Sequence, residues 1–225
     1  MIYTIGGIKG GSGKTTFATN LAVMLARSGK DVLLIDADAQ GSSADFSQMR
    51  GSAMEDMGYT AIQLNGAAVR TEVVKLSEKY DDIVIDAGGR DTTSQRAALV
   101  VSDVFLSPFI PSSFDMWTLE PVIDMIEEMM PANPDLKAFA LLNGVDAQGS
   151  EKEEAKEYIE ESGVLKLINA SLGRRKAFRK AASVGLSVTE YKPADPKAIG
   201  EITAVFDELM SLVKPKSPEA TLVST

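Results

Sequence analysis

The chemistry-bearing residues gather first in the stretch IGGIKGGSGKTTFATNLA, Ile5 to Ala22. Gly10, Gly11, Ser12 and Gly13 can turn several backbone N–H groups toward one anion, and a following helix adds the partial positive charge of its N-terminus. Lys14 would reach the β- and γ-phosphates of a nucleotide, Thr15 would ligate Mg²⁺, and Thr16 can donate to the α-phosphate. The phosphate-loop pattern G-x-x-x-x-G-K-[ST] asks for glycine at position 8, where this chain has Ile8. A second lysine, Lys9, stands five residues before Lys14. A glycine-rich turn without a ligand would not need G-K-T-T at a strand-to-helix junction.

Carboxylates supply the second half of such a site. Asp36 and Asp38 follow the apolar run VLLI, and Asp86 follows IVI. In open α/β sheets the ligand lies beyond the carboxyl ends of the strands, so these acids should face the glycine loop. Mg²⁺ needs one or two carboxylates besides phosphate oxygens and water, which leaves an acid to orient an attacking water. A single acid at a strand end is commonly just solvated; three beside a phosphate loop form a pattern.

These residues must be positioned by alternating strands and helices. Apolar runs predict strands over Met1–Ile8, Asp31–Asp36, Asp81–Gly89, Val104–Ile110 and Ala138–Leu142, with a short one over Leu186–Thr189. Helical spacing predicts helices over Thr15–Ser28, Val69–Lys79, Trp117–Met130, Glu151–Glu161, Arg174–Ser183 and Pro196–Val213. Gly41–Gly66 gives no clear signal. The expected fold is α/β, a mostly parallel sheet with helices on both faces. The expected organisation is one domain over residues 1–213 and a disordered tail over 214–225, where Pro215 and Pro218 fall.

Composition narrows the chemistry. The 225 residues are 44% hydrophobic and 24% charged, which suits a globular chain with a real core. There is no cysteine and no histidine. Disulfides, thiolate or imidazole metal sites and a Ser-His-Asp triad are thereby excluded. A net charge of −9 argues against nucleic acid unless a local basic cluster overrides it. No secretory signal and no long apolar run is present, so a cytoplasmic protein is expected.

Taken together, KGGSGKTT resembles the deviant Walker A signature K-G-G-x-G-K-T-[ST] of the ParA/MinD family of ATPases, in which a non-glycine stands where Ile8 does. DADAQGSS resembles that family's D-x-D-P-Q motif, with Ala39 for proline, and IVIDAGG its Walker B strand, which more often reads D-x-P-P. LLNGVD and FRKAASVGLSVTEYKPADPKAIGEI resemble its later motifs. The resemblance implies ATP and Mg²⁺ as cofactors and weak, partner-stimulated ATP hydrolysis. It implies that Lys9 crosses a homodimer interface to the partner's nucleotide, that Asp38 positions the hydrolytic water, and that Asp36 and Asp86 lie near Mg²⁺. It carries over Asn143 and Pro193 as nucleotide contacts, Asn143 at the adenine.

Within the family, DAQGSSADFSQMR resembles a stretch of the small plasmid-type ParA proteins, with Phe46 for tryptophan and Arg50 in place. A sequence opening directly on the phosphate-loop strand is what this small branch, rather than the larger partition ATPases with their extension, is expected to show. The prolines near the end argue against a membrane-binding helix. GRRKAFRK gathers Arg174, Arg175, Lys176, Arg179 and Lys180 around Phe178, a candidate site for nonspecific DNA or else a solvated basic face balancing an acidic neighbour. Met116, Met125, Met129 and Met130 suit packing or a partner helix, and Trp117 has no assigned role. The expectation is a nucleoid-associated partition or positioning ATPase with a ParB-like activator. The alternatives are a regulatory ATPase acting through a protein partner without DNA and, more remotely, a metabolic phosphotransferase.

Overall fold

The computed structural model of the chain describes residues 1–90, 92–111, 116–145 and 151–214, without the side chains of 116–118 and 151–154. The strands are β1 (Ile2–Ile5), β2 (Val32–Asp36), β3 (Thr60–Gln63), β4 (Asp82–Asp86), β5 (Val104–Phe109), β6 (Lys137–Val145), β7 (Lys166–Leu167) and β8 (Leu172–Gly173). The helices are α1 (Lys14–Arg27), α2 (Ser42–Ala53), α3 (Ala68–Leu76), α4 (Thr93–Val101), α5 (Met116–Met129), α6 (Glu151–Glu161), α7 (Lys176–Ala182) and α8 (Pro196–Val213). The sheet runs β3-β2-β4-β1-β5-β6-β7, with β8 on β6 and every pairing parallel.

Parallel strands buried on both faces explain the continuous apolar runs. Along them the pleat sends alternate residues to opposite faces. Leu34, Val84, Tyr3 and Ile5 enter a core with Phe17, Leu21 and Leu25 of α1 and Ile202, Val205 and Leu209 of α8. Leu33, Ile35, Ile83 and Ile85 point the other way, to Val69 and Val73 of α3 and Ala98 of α4. Phe105, Ala140 and Leu142 meet Val122, Met125 and Ile126 of α5 and Ile159 of α6. Met125 is therefore core and Met129 packs beside it, whereas Met130 is exposed. The side chains of Met116 and Trp117, and the tail from residue 215, lie outside the described residues.

The strand order reverses at β1, because β4 and β5 flank it on opposite sides. A crevice therefore opens beyond the carboxyl end of β1, where the glycine loop begins. Gly13 has φ 98°, a left-handed conformation, and caps α1. Asp195 caps α8 by accepting from the amides of Lys197 and Ala198, with Pro196 at the first helical position.

The structure differs from the sequence reading at several places. The unassigned Gly41–Gly66 stretch holds α2 and edge strand β3. Helix α4 and the two-residue strands β7 and β8 are additions to the expected elements. The first strand stops at Ile5 rather than Ile8, since Gly7 already has φ 147°. The basic helix starts at Lys176, so Arg174 and Arg175 precede it: Arg175 holds an extended backbone as the cap residue. Leu186–Thr189 is no strand but part of a turn. The amides of Glu190 and Tyr191 return to the Ser187 carbonyl, and Asn20 Oδ1 accepts from Ser187 Oγ at 2.8 Å and the Val188 amide at 3.0 Å.

That turn is also clamped by Arg50. Its guanidinium donates to both carboxylate oxygens of Glu190 (2.7 and 2.9 Å), to the Met57 carbonyl (2.7 Å) and to the Gly185 carbonyl (3.3 Å). Gly185 has φ +71°, and a Cβ there would stand 2.3 Å from the Arg50 amide nitrogen. Burial alone would raise the Glu190 carboxyl, but its hydrogen bonds from Arg50 and the Ser187 amide, with the charges of Arg50 and Arg27, hold it below the ordinary value. Arg50→Ala would strand this half-buried carboxylate and two carbonyls. It should cost about 3–5 kcal/mol, the range for removing one partner of a buried pair. A urea midpoint at neutral pH within error of wild type would refute the clamp's importance.

Candidate functional site

A cleft of about 720 Å³ lies at the carboxyl ends of the central strands. Gly10, Gly11, Gly13, Lys14, Thr15 and Thr16 line it from the glycine loop and α1, and Asp38 to Gln40 from the loop after β2. Gly88, Gly89, Arg90 and Thr92 line it from the loop after β4. The sequence thus identified two of its three walls.

The glycine loop is braced from both sides. Gln95 Oε1 accepts from the Gly7 amide at 2.9 Å. Asn143 Nδ2 donates to the Ser12 carbonyl at 2.7 Å, and a Cβ on Gly13 would stand 2.1 Å from that nitrogen. Gly13 is therefore required twice, by its φ and by Asn143. Lys14 is buried, and its ammonium donates to the Lys9 carbonyl at 2.7 Å. Burial pulls the Lys14 ammonium below its ordinary pKa, while the charges of Asp86 and Asp38 pull it back up. The side chain of Lys9 is exposed.

Each acid has a different environment. Asp36 is buried and already engaged: Oδ1 accepts from the Asp38 amide at 3.0 Å and Oδ2 from the Ala44 amide at 2.8 Å. It holds the loop that carries Asp38 and satisfies the first turn of α2. Asp38 is half-buried, its Oδ1 accepting from the Gln40 amide at 3.1 Å. Asp86 stands beside Asp36 in the sheet register and is 1% exposed. Burial pushes its carboxyl up to about 7, Asp36 adding to the rise, while the Thr15 hydroxyl and the charge of Lys14 oppose it.

Asp86 Oδ2 and Ser43 Oγ are buried without a hydrogen-bond partner, an expensive condition for polar atoms. The orphaned Asp86 Oδ2, beside the Thr15 hydroxyl, is an oxygen donor of the kind a hard cation such as Mg²⁺ takes, and the residues fit one.

The remaining candidates fall elsewhere. Asn143 reaches the back of the glycine loop rather than the cleft wall. Pro193 is exposed and follows a cis peptide bond. Arg174, Lys176, Arg179 and Lys180 are exposed, whereas Arg175 forms an ion pair with Glu201 at 2.7 Å. Phe178 is buried beneath them. Four contributors went unnoticed in the sequence: Gln95, Ser43, Arg90 and Thr92. The spacing T-x-x-Q of Thr92 and Gln95 was a readable helix-start signal, and Thr92 does cap α4. Nothing in the sequence showed that the Gln95 amide turns to Gly7 instead.

A family model, the CobQ/CobB/MinD/ParA nucleotide binding domain, matches residues 3–188. The chain belongs to this family. Among curated proteins, it is 28% identical over 207 residues to maintenance of carboxysome distribution protein A of Halothiobacillus neapolitanus, covering 92% of this chain and 94% of that one. It is 30% identical over 204 residues to the protein of the same name from Gloeobacter kilaueensis, covering 89% and 90%. The chromosome-partitioning ATPase Soj of Thermus thermophilus is 24% identical over 218 residues, covering 84% and 88%. Among solved structures, the cell division ATPase MinD of Pyrococcus furiosus matches with a TM-score of 0.72 at 20% identity, covering 94% and 98%. That likeness establishes the P-loop α/β fold.

The raised Asp86 carboxyl has a consequence for stability. Between its unfolded value near 3.8 and its folded value near 7, the native state binds more protons than the unfolded chain, so stability should fall as pH rises through that window. Asp86→Asn should flatten this decline. Melting temperatures of both proteins from pH 5 to 8 in a chelator test it; parallel profiles would contradict the buried-acid assignment.

Proposed function

We propose that this chain is an ATPase of the ParA type, an ATP-dependent switch that dimerises, binds DNA without sequence preference and positions a large cargo. The observation that carries the reading is the pairing of lysines at one loop. Lys14 is buried in the cleft wall with its ammonium on the Lys9 carbonyl, while the Lys9 side chain is exposed and outside the cleft lining. One cation suits the chain's own nucleotide, and the other suits a nucleotide outside it.

In this reading the amides of Gly10, Gly11, Ser12 and Gly13 hold the phosphates, Lys14 faces the β/γ-phosphates and Thr16 the α-phosphate. Mg²⁺ would be held by Thr15 and Asp86, with Asp36 beside them, and would neutralise phosphate charge. Asp38 orients the attacking water. Lys9 acts in trans, like the arginine fingers that contribute about 10³–10⁵ in rate in other NTPases. Asn143 and Pro193 serve the base side. Residues 1–213 act as one ATPase unit, and 214–225 as a tail.

The cargo class draws support from relatives named for carboxysome distribution and for chromosome partitioning. No described helix is long and apolar enough to cross a membrane. A cytoplasmic, nucleoid-associated protein with a ParB-like or equivalent activator fits these features. The ion pair of Arg175 with Glu201 favours one alternative, the regulator acting through a protein partner, because it removes one cation from the basic face.

Asp38→Ala should bind Mg-ATP and accumulate as a dimer with turnover reduced at least about tenfold, since positioning supplies much of phosphoryl-transfer catalysis. Lys9→Ala should bind ATP yet remain monomeric. Sizing chromatography with ATP separates the two; a dimeric Lys9→Ala would remove the in-trans role.

DNA binding should require ATP and weaken steeply with salt, each neutralised phosphate adding about −0.9 to the slope of log K against log salt. Replacing Arg174, Arg179 and Lys180 with glutamate should abolish binding and leave ATP-driven dimerisation intact. If the wild-type ATP dimer ignores long duplex DNA at low salt, the protein-partner regulator becomes the better reading.

A further inference from the structure

Arg90 lines the cleft with Lys14, Asp38 and Thr92, yet no motif gives it a role. It is exposed, and among the described residues no hydrogen bond or ion pair holds its guanidinium. Its place is imposed by the two glycines before it. A Cβ on Gly88 would stand 2.9 Å from the Asp38 carboxyl carbon. A Cβ on Gly89 would stand 3.0 Å from Gly10 Cα and 3.1 Å from Lys14 Nζ. The backbone after β4 is thus wedged between the glycine loop and Asp38, and the next side chain emerges at the cleft.

Charge gives this position meaning. The cleft already carries Asp38, with Asp36 and Asp86 behind it, and the positive charge of Lys14 is shared with Asp86 and Asp38. A triphosphate entering beside Asp38 brings its terminal charge toward a carboxylate. A free guanidinium on the neighbouring loop offsets that repulsion, and its planar fork matches two phosphate oxygens.

We propose that Arg90 is a specificity-determining residue that binds the terminal phosphate of a triphosphate in its own subunit's cleft, so that ATP is held in preference to ADP. The inference rests on the nucleotide reading above. Its mark is a selective loss, because ADP lacks the group that Arg90 contacts.

The test measures binding of a non-hydrolysable ATP analogue and of ADP, each with Mg²⁺, to wild type, Arg90→Ala, Arg90→Lys and Lys14→Ala. Protein concentrations are kept where sedimentation finds monomer, so that no partner subunit contributes. Arg90→Ala should weaken the triphosphate about tenfold or more, the scale of one charged hydrogen-bonding group, and ADP by less than about twofold. Arg90→Lys should recover part of the difference, and Lys14→Ala should lose both nucleotides. Equal loss of both nucleotides, an unchanged ratio, or an effect confined to the dimer would each overturn the proposal for Arg90 alone. If folded wild type binds neither nucleotide, the nucleotide reading falls and this inference with it.

Discussion

The fold carries a buried carboxylate at its centre, and much of the site is arranged around that cost. Asp86 ends a strand in the middle of the sheet, beside Asp36, where water does not reach. Asp36 is stabilised by two backbone amides, whereas Asp86 retains an oxygen with no partner. Desolvation of this kind is tolerated where a functional site requires it, and perturbed groups concentrate there for that reason. The glycine loop, the α2 cap and the Lys14 ammonium all lie within the field of these acids. Exchanging Asp86 for an apolar residue would suit the core better and the site worse.

The second organising feature is the brace on the glycine loop. Gln95 and Asn143 come from α4 and β6 and fix the loop at Gly7 and Ser12. A loop with its amides already converged loses little conformational freedom when an anion arrives, which is the general benefit of preorganisation. Besides the base contact proposed for it, Asn143 has its amide in the loop's own support.

How much was legible follows from range. The glycine loop, the acids at Asp36 and Asp86 and helix α8 depend on local signals: strand ends, a cap, a proline at a helix start. These were readable within a few residues either way. The α2–β3 region was not, because α2 buries only Phe46, Ser43, Ser47 and Arg50, too few apolar positions to mark a helical face. Leu186–Thr189 carried a strand-like pattern that was overridden by Asn20 and Arg50, more than 130 residues away. Arg175 belongs by sequence to a basic cluster, but Glu201 on the following helix holds it in an ion pair. Local chemistry was visible in the sequence, and pairing at a distance was not.

Helix α1 joins the cleft mechanically to the turn after the basic helix. Its first residue is Lys14, at the cleft, and nearly two turns further Asn20 grips the turn that follows basic helix α7. Fourteen residues of α-helix make a strut of about 21 Å, stiff along its axis. With Phe17, Leu21 and Leu25 locked into the core, any tilt at the loop end has no soft joint in which to dissipate before Asn20. The glycine loop and the turn after the basic helix therefore hang on one rigid member.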